Sequence, residues 1–274
     1  MCKELWEFAD DGERFTEKIV HSFFPELVKR WEKHQTNHVI TVVLISRVFY
    51  DPQDLEYAAG PLRQTDDGAW YKDFFKVVVD LEVISNWTEV LLNLKEAFWT
   101  FQRDILLTHH YHRNTEAGGD VRLVGTISFA HDGPLLEALN LALNPTEAHY
   151  IDRSLSLTGS STIVITPGTG YFRVQKQLLR LTTLRMLDQG FGLDLVCLAK
   201  QPLHTSPIFS FQGVEPMPGP ANEGISRAMD PLWGGGRSEA DHPPKDLKTF
   251  WWEPFWVCAS FWDKQRDMPF RQDR

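Results

Sequence analysis

Three sets of residues have types and spacings that could do chemistry. Thr166-Pro167-Gly168-Thr169-Gly170 lies between a strand-like run and a helix-like one. A glycine loop in that position can present backbone N–H groups to a phosphate at a helix N-terminus. It lacks the Lys-Ser/Thr ending of a P-loop and the three-glycine spacing of a dinucleotide fingerprint, so a tight structural turn is the better reading. His109-His110-Tyr111-His112, with His131 and His149 downstream, contains metal-ligating types. A helical zinc site wants histidines at i and i+4, and a closed one wants cysteines. Neither pattern exists, and the cluster reads as a solvated loop. Asp10-Asp11 and Asp66-Asp67 are adjacent carboxylates, but adjacency gives no shared face and no reason for a perturbed pKa. Both read as solvated turns. No Gly-x-Ser-x-Gly elbow is present. No catalytic centre is visible, and no cofactor or metal ion is expected.

Composition bounds the alternatives. The chain has 274 residues, 42% apolar and 24% charged, which is ordinary for a globular domain. At this size one large domain buries about 75% of its unfolded surface. Lys and Arg total 28 against 37 Asp and Glu, a net charge of −9, which argues against generic phosphate-backbone binding and a nucleic-acid partner. Three cysteines, Cys2, Cys197 and Cys258, cannot form a disulfide framework. The last two sit in apolar strand-like runs and are expected to be buried thiols in a reducing compartment. No stretch approaches the ~18 apolar residues of a membrane span, and the start is too acidic for a signal peptide. The expectation is a soluble, cytosolic chain that meets a membrane only indirectly.

The elements that would position these residues follow from periodicity. Phe15, Ile19, Phe23, Leu27 and Trp31 mark a helix over Gly12–Trp31, which Pro25 kinks or splits. Val39–Ser46 is an uncharged, β-branched run, predicted to be a strand covered on both faces as in a parallel or mixed sheet. A polar excursion covers Arg47–Asp73. Further strands are predicted at Phe74–Glu82, Ser161–Thr166, Gly192–Ala199 and Trp251–Trp262, with Val121–Phe129 ambiguous. Helices are predicted at Trp87–Leu107, Gly133–Leu143 and Val174–Asp188, the last stopped by Gly190. Thr108–Asp120 reads as loop. Gln212–Lys248, rich in Pro and Gly, reads as a flexible insertion in an otherwise single domain over 1–274. Strand–helix alternation predicts an α/β fold with an open, doubly wound, mostly parallel sheet and helices on both faces.

That order resembles a von Willebrand factor A-like domain of the Rossmann type. Metal-binding members carry Asp-x-Ser-x-Ser where the first strand ends, and a Thr-Asp-Gly after a later one. Here the corresponding stretches read Leu44-Ile45-Ser46-Arg47-Val48-Phe49-Tyr50 and Thr166-Pro167-Gly168. Two carboxylates are missing, and Arg47 would repel a divalent cation, so the resemblance implies a version without a complete metal site, used for protein contact.

Longer motifs sharpen the resemblance. Met1-Cys2-Lys3-Glu4-Leu5-Trp6-Glu7-Phe8, Val42 to Asp51, Asp73-Phe74-Phe75-Lys76-Val77-Val78 and Leu136-Glu137-Ala138-Leu139-Asn140 run in order. Ile163 to Gly168, Arg185-Met186-Leu187-Asp188 and Gly192 to Cys197, continuing to Gln201-Pro202-Leu203-His204, follow. Together they resemble the N-terminal region of the vacuolar membrane-associated Iml family, from Met1 to about Phe209 and again over Trp252–Trp262. This is the DEP-domain-containing subunit of the SEACIT complex of fungi, called GATOR in animals. The resemblance implies a structural-axis domain holding one of two nitrogen permease regulator-like subunits. It implies a complex that activates GTP hydrolysis by Rag-type small GTPases at the vacuolar or lysosomal membrane, restraining target-of-rapamycin signalling in amino-acid starvation. The catalytic arginine of that complex lies on a partner subunit, so no arginine here takes the role. Family members are much longer and carry a DEP domain, so this chain is expected to be an excised domain or a truncated gene product.

The function expected is therefore non-enzymatic scaffolding. Ligands of open α/β sheets bind at the carboxyl ends of the strands. That rule places Arg47, Phe49, Tyr50, Tyr171, Phe172, Gln201 and His204 at one rim, as candidate partner-binding residues rich in the aromatics and arginine of interface hot spots. Phe49 and Phe172 could equally plug the sheet end. If the rim binds, Tyr50→Ala with Tyr171→Ala should weaken binding and leave the melting temperature intact. The competing readings are a nucleotide- or phosphate-binding enzyme using Gly168–Gly170, which predicts a thermal shift with such a ligand, and a metal-dependent adhesion module.

Overall fold

The structure is a computed structural model that describes residues 1–9, 12–36, 38–58, 60–84, 86–114, 123–148, 161–168, 170–199, 208–215, 230–233 and 247–262. The first helical stretch is divided as Pro25 requires. Helix α1 (Phe15–Lys18) passes through a π-helical turn at Ile19–Phe23 into α2 (Phe24–Lys33), with Pro25 in the first turn of α2. Proline has no N–H for the i−4 carbonyl, and the widened turn accommodates it without breaking the axis.

Strand β1 (Val39–Tyr50) pairs antiparallel with β3 (Trp70–Val83), with bulges between Ile40 and Val43. The short β2 (Arg63–Gln64) and β4 (Thr126–Ile127) complete a four-stranded sheet in the order β2-β3-β1-β4. This corrects the expectation of a strand covered on both faces in parallel pairing. Leu44, Ser46, Val48 and Tyr50 are buried, whereas Val39 and Val43 on the opposite side are exposed. A β-branched run specifies a strand, not the direction of its neighbour. The buried side packs on α3 (Trp87–Asn114) through Leu94, Phe98, Phe101 and Ile105, spaced three to four apart on one helical face. That helix runs past Leu107 to Asn114, so the His109–His112 cluster begins in helix rather than loop. Gly125, at φ 81°, enters β4 where a Cβ would lie 2.6 Å from Val48 Cγ1 and 2.9 Å from the Phe49 carbonyl, so only glycine fits.

The parallel part of the fold is a three-stranded sheet in the order β10-β7-β5. Here β5 (Thr162–Thr166) and β10 (Val257–Phe261) flank β7 (Leu193–Cys197). The two-sided burial predicted for β1 belongs to β7: Leu195 and Cys197 enter one core cluster and Val196 the other. Helices α4 (Leu135–Ala148) and α5 (Lys176–Gln189) supply Leu135, Leu136, Leu139, Leu179 and Met186 to the first of these. Gly190 stops α5 in the left-handed conformation as predicted, at φ 67°. A third sheet, β6-β8-β9, is built from β6 (Phe172–Arg173), β8 (Phe209–Val214) and β9 (Leu247–Trp252).

The ends of the Gln212–Lys248 segment are thus strand. Leu232, inside it, is fully buried, with the Arg180 Nε donating to its carbonyl; residues 216–229 and 234–246 lie outside the described residues. The thiols also depart from expectation. Cys197 is buried, as is Cys2, but Cys258 is exposed because it sits on the outer face of an edge strand. Burial pushes the Cys197 thiol up to about 11 and the Cys2 thiol up to about 12.

Candidate functional site

The antiparallel sheet β2-β3-β1-β4, the sheet β6-β8-β9 and the starts of α4 and α5 line a cleft of about 530 Å³. Its floor is made by a cross-strand pair. Arg47 and Asp73 stand opposite one another in the β1–β3 register, and the guanidinium meets the carboxylate with both prongs. Nε donates to Asp73 Oδ1 at 2.6 Å and Nη2 to Oδ2 at 3.0 Å, while Nη2 also donates to Glu137 Oε1 at 2.7 Å. The guanidinium carbon lies 4.1 Å from the Tyr71 ring centroid, in cation–π contact. Glu137 comes from the first turn of α4, where a carboxylate also complements the helix dipole. Burial alone would lower the Arg47 pKa, but the Asp73 hydrogen bonds and the Glu137 and Asp73 charges outweigh it and hold it above the ordinary value. One residue thereby ties β1, β3 and α4 together.

The mouth of the cleft is looser. The Glu4 carboxylate accepts the Ala130 N–H at 3.0 Å, anchoring a 3-10 turn (Ala130–Asp132) that presents His131 and Asp132. Arg173, on β6, donates from Nε to Asp132 Oδ1 at 2.9 Å and lies 4.0 Å from Asp67 Oδ2. The His131 ring is stacked between Phe129 and Tyr171, at 5.7 and 5.1 Å between centroids. Tyr171 meets Trp251 edge-on at 5.4 Å. An aromatic ladder thus runs up one wall to Trp251, which is 42% exposed.

Of the residues expected at the rim, Arg47, Phe49 and Tyr171 line this one cleft. Arg47 does so from below, its guanidinium committed inside the fold. Tyr50 and Phe172 do not: they are 4% and 5% exposed, Tyr50 turned to the α3 side of β1 and Phe172 packed on Phe209. The idea that Tyr50→Ala would spare stability is therefore corrected, because the ring is a core group. Gln201 and His204 lie outside the described residues, as do Asp10, Asp11 and His149, and nothing is described of the His109, His110 and His112 side chains.

Asp66 and Asp67 are exposed in a turn, as the solvated-turn reading has it. That turn (65–69) lines the cleft, and partial burial, then the neighbouring Asp67, raise the Asp66 pKa. Nothing in the sequence marks Arg173, His131 and Trp251 as neighbours, since each arrives on a different element and only tertiary packing joins them.

Two other chemistries can be tested on the geometry. The Gly168 N–H is 3.3 Å from Thr166 Oγ1, and a Cβ at Gly168 would stand 3.0 Å from Ala199 Cβ. Gly170 leads into β6 rather than into a helix N-terminus, so the loop works as a tight turn. Among the described residues no group of three or more His, Cys, Asp or Glu side chains is placed to hold a metal ion. At the end of β1 a divalent cation would face the Arg47 guanidinium, which already neutralises Asp73 and Glu137, so these residues do not fit a metal. Nor, among the described residues, is any helix long and apolar enough to cross a membrane.

A parallel sheet backed by helices makes this an α/β domain, and the match of a vWA-like family model gives its class. The family model for the vWA-like domain of the vacuolar membrane-associated protein Iml1 matches residues 1–211, and the chain belongs to that family. It is 38% identical over 215 residues to a Drosophila melanogaster protein named GATOR complex protein Iml1, covering 77% of this chain and 14% of that protein. A DEP domain-containing protein of Dictyostelium discoideum is 37% identical over 211 residues, 77% of this chain and 9% of that one. The vacuolar membrane-associated protein IML1 of Coccidioides immitis is 31% identical over 316 residues, covering 99% of this chain and 17% of its own length. The chain thus spans less than a fifth of each of these relatives.

Proposed function

We propose that this chain is a non-catalytic scaffold domain of a SEACIT/GATOR-type complex that binds a nitrogen permease regulator-like subunit. The observation that carries this reading is the match over residues 1–211, continuous from the first helix to β8 and shared with a relative whose name places it in the GATOR complex. The cleft supports it: a concave site rimmed by aromatic and charged side chains is the kind of surface that interface hot spots favour. On this reading the complex activates GTP hydrolysis by Rag-type GTPases at the vacuolar membrane and restrains target-of-rapamycin signalling when amino acids are scarce. The catalytic arginine belongs to a partner, and the chain reaches the membrane through its complex. Co-expression with each nitrogen permease regulator-like subunit, separately and together, followed by size-exclusion chromatography, tests the reading. A stable complex with one of them is expected; elution of a folded chain alone in every combination would refute it.

A further inference from the structure

Charge is closer to balance at the floor of the cleft, where Arg47 meets Asp73 and Glu137, than at its mouth. Asp66, Asp67, Asp132 and Glu137 line the cavity, with Asp73 behind Arg47. The cations among the described lining residues are Arg47 and Arg173, so four lining carboxylates face two guanidiniums, a net of −2, and Asp73 behind Arg47 makes it −3. Arg47 is spent on Asp73 and Glu137, and Arg173 on Asp132, reaching Asp67 only at 4.0 Å. Asp66 has no cationic partner among the described residues. Aromatic side chains line the same cleft, with Phe49 and Tyr171 partly exposed and Trp251 open to solvent.

Carboxylates and aromatic rings lining one cleft are what a cationic side chain requires: ion pairing from the first and cation–π attraction from the second. An acidic occupant would add to the uncompensated charge, and a neutral apolar one would desolvate Asp66 for no return. A volume of about 530 Å³ suits a side chain with its flanking backbone.

We propose that the mouth of this cleft binds an arginine or lysine side chain carried on a segment of a partner protein, with Asp66 and Asp67 as counter-ions and Trp251 and Phe49 as the aromatic wall. The partner's identity rests on the reading above; the preference for a basic side chain does not. The docked cation offsets one of the carboxylate charges that Arg173 leaves uncompensated.

Two arms test this with the full 274-residue chain. In the first, the peptide Ac-Gly-Arg-Gly-Arg-Gly-NH2 and its citrulline counterpart are titrated at low salt while the Trp251 indole N–H is followed by NMR, assigned through its loss in Trp251→Phe. The arginine peptide should shift that resonance and the citrulline peptide should not. Asp66→Asn with Asp67→Asn should weaken binding about five- to tenfold and Trp251→Ala about threefold. Glu32→Gln with Glu89→Gln, exposed acids away from the cleft, should change it less than twofold. Equal binding of the citrulline peptide, or equal loss in the Glu32/Glu89 variant, overturns the proposal. In the second arm, Asp66→Lys with Asp67→Lys should abolish capture of the nitrogen permease regulator-like subunit. Undiminished capture overturns docking at this cleft while leaving the complex-membership reading intact. If the unmodified chain captures neither subunit yet prefers the arginine peptide, the partner reading fails and the cleft's basic specificity stands.

Discussion

Arg47 and Arg173 line the same cleft and both pair with an aspartate on another element, yet their surroundings differ. The Arg47 side chain is 9% exposed and shared between two carboxylates, whereas that of Arg173 is 52% exposed and holds Asp132 firmly but Asp67 only at 4.0 Å. Removing one partner from a buried, hydrogen-bonded pair strands the other charge in a poorly solvated place, while an exposed pair exchanges its partner for water. The floor therefore maintains the fold, and the mouth keeps charge available for a partner.

The widest separation between the two is expected from Arg47→Met, which leaves Asp73 and Glu137 unpaired and should cost about 3–5 kcal/mol in denaturant unfolding. A loss below about 1 kcal/mol would erase the distinction between floor and mouth. Adding Asp73→Leu to that variant should recover part of the loss, because the stranded charge goes with it. Next comes Tyr50→Ala, expected to cost about 3–4 kcal/mol since the ring is buried against the α3 side of β1. Tyr171→Ala, which removes a partly exposed member of the ladder, should cost about 1 kcal/mol. The pair separates core from rim by melting temperature alone.

The thiols repeat the contrast between buried and open groups. In the native chain near pH 8 only Cys258 should react promptly with an aromatic disulfide reagent, with Cys2 and Cys197 appearing on denaturation. Because the Cys197 thiol is pushed up to about 11 in the folded state, the unfolded chain releases its proton first as pH rises. Stability from this group is intact below about pH 8.5 and should fall by about 2 kcal/mol by pH 10. Cys197→Ser should flatten that alkaline slope. The smallest effect is expected from Arg173→Ala, within about 1 kcal/mol and diminishing with added salt.

Much of this arrangement was legible in the residues. The strands β5 and β7, the leucine face of α4 and the Gly190 stop of α5 follow from local patterns that tertiary context did not override, although β5 is an edge strand with Ile163 exposed rather than the buried one its apolar run suggests. The resemblance up to about Phe209 agrees with the family match over 1–211. What sequence could not supply was pairing over distance. Arg47 and Asp73 are 26 residues apart and Arg47 and Glu137 are 90 apart, and the bulges near Ile40 and Val43 shift which residues of β1 and β3 come opposite one another. Arg47 was therefore read as a rim contact when it is a clamp. Tyr50 followed Phe49 into the rim because a period of two cannot say which face of a strand meets a helix. Asp66 and Asp67 are exposed in their turn as expected, but nothing in their neighbourhood announces that the turn shares a cleft with β8 and β9.

The most direct test is hydrogen exchange of the chain with and without the nitrogen permease regulator-like subunit that co-purifies with it. The account predicts new protection at 65–69, 171–173 and 249–251, around the mouth, and little change in β1 and β3 beneath Arg47. Protection instead along the exposed Leu181, Leu184 and Leu187 of α5, with the mouth unchanged, would contradict it.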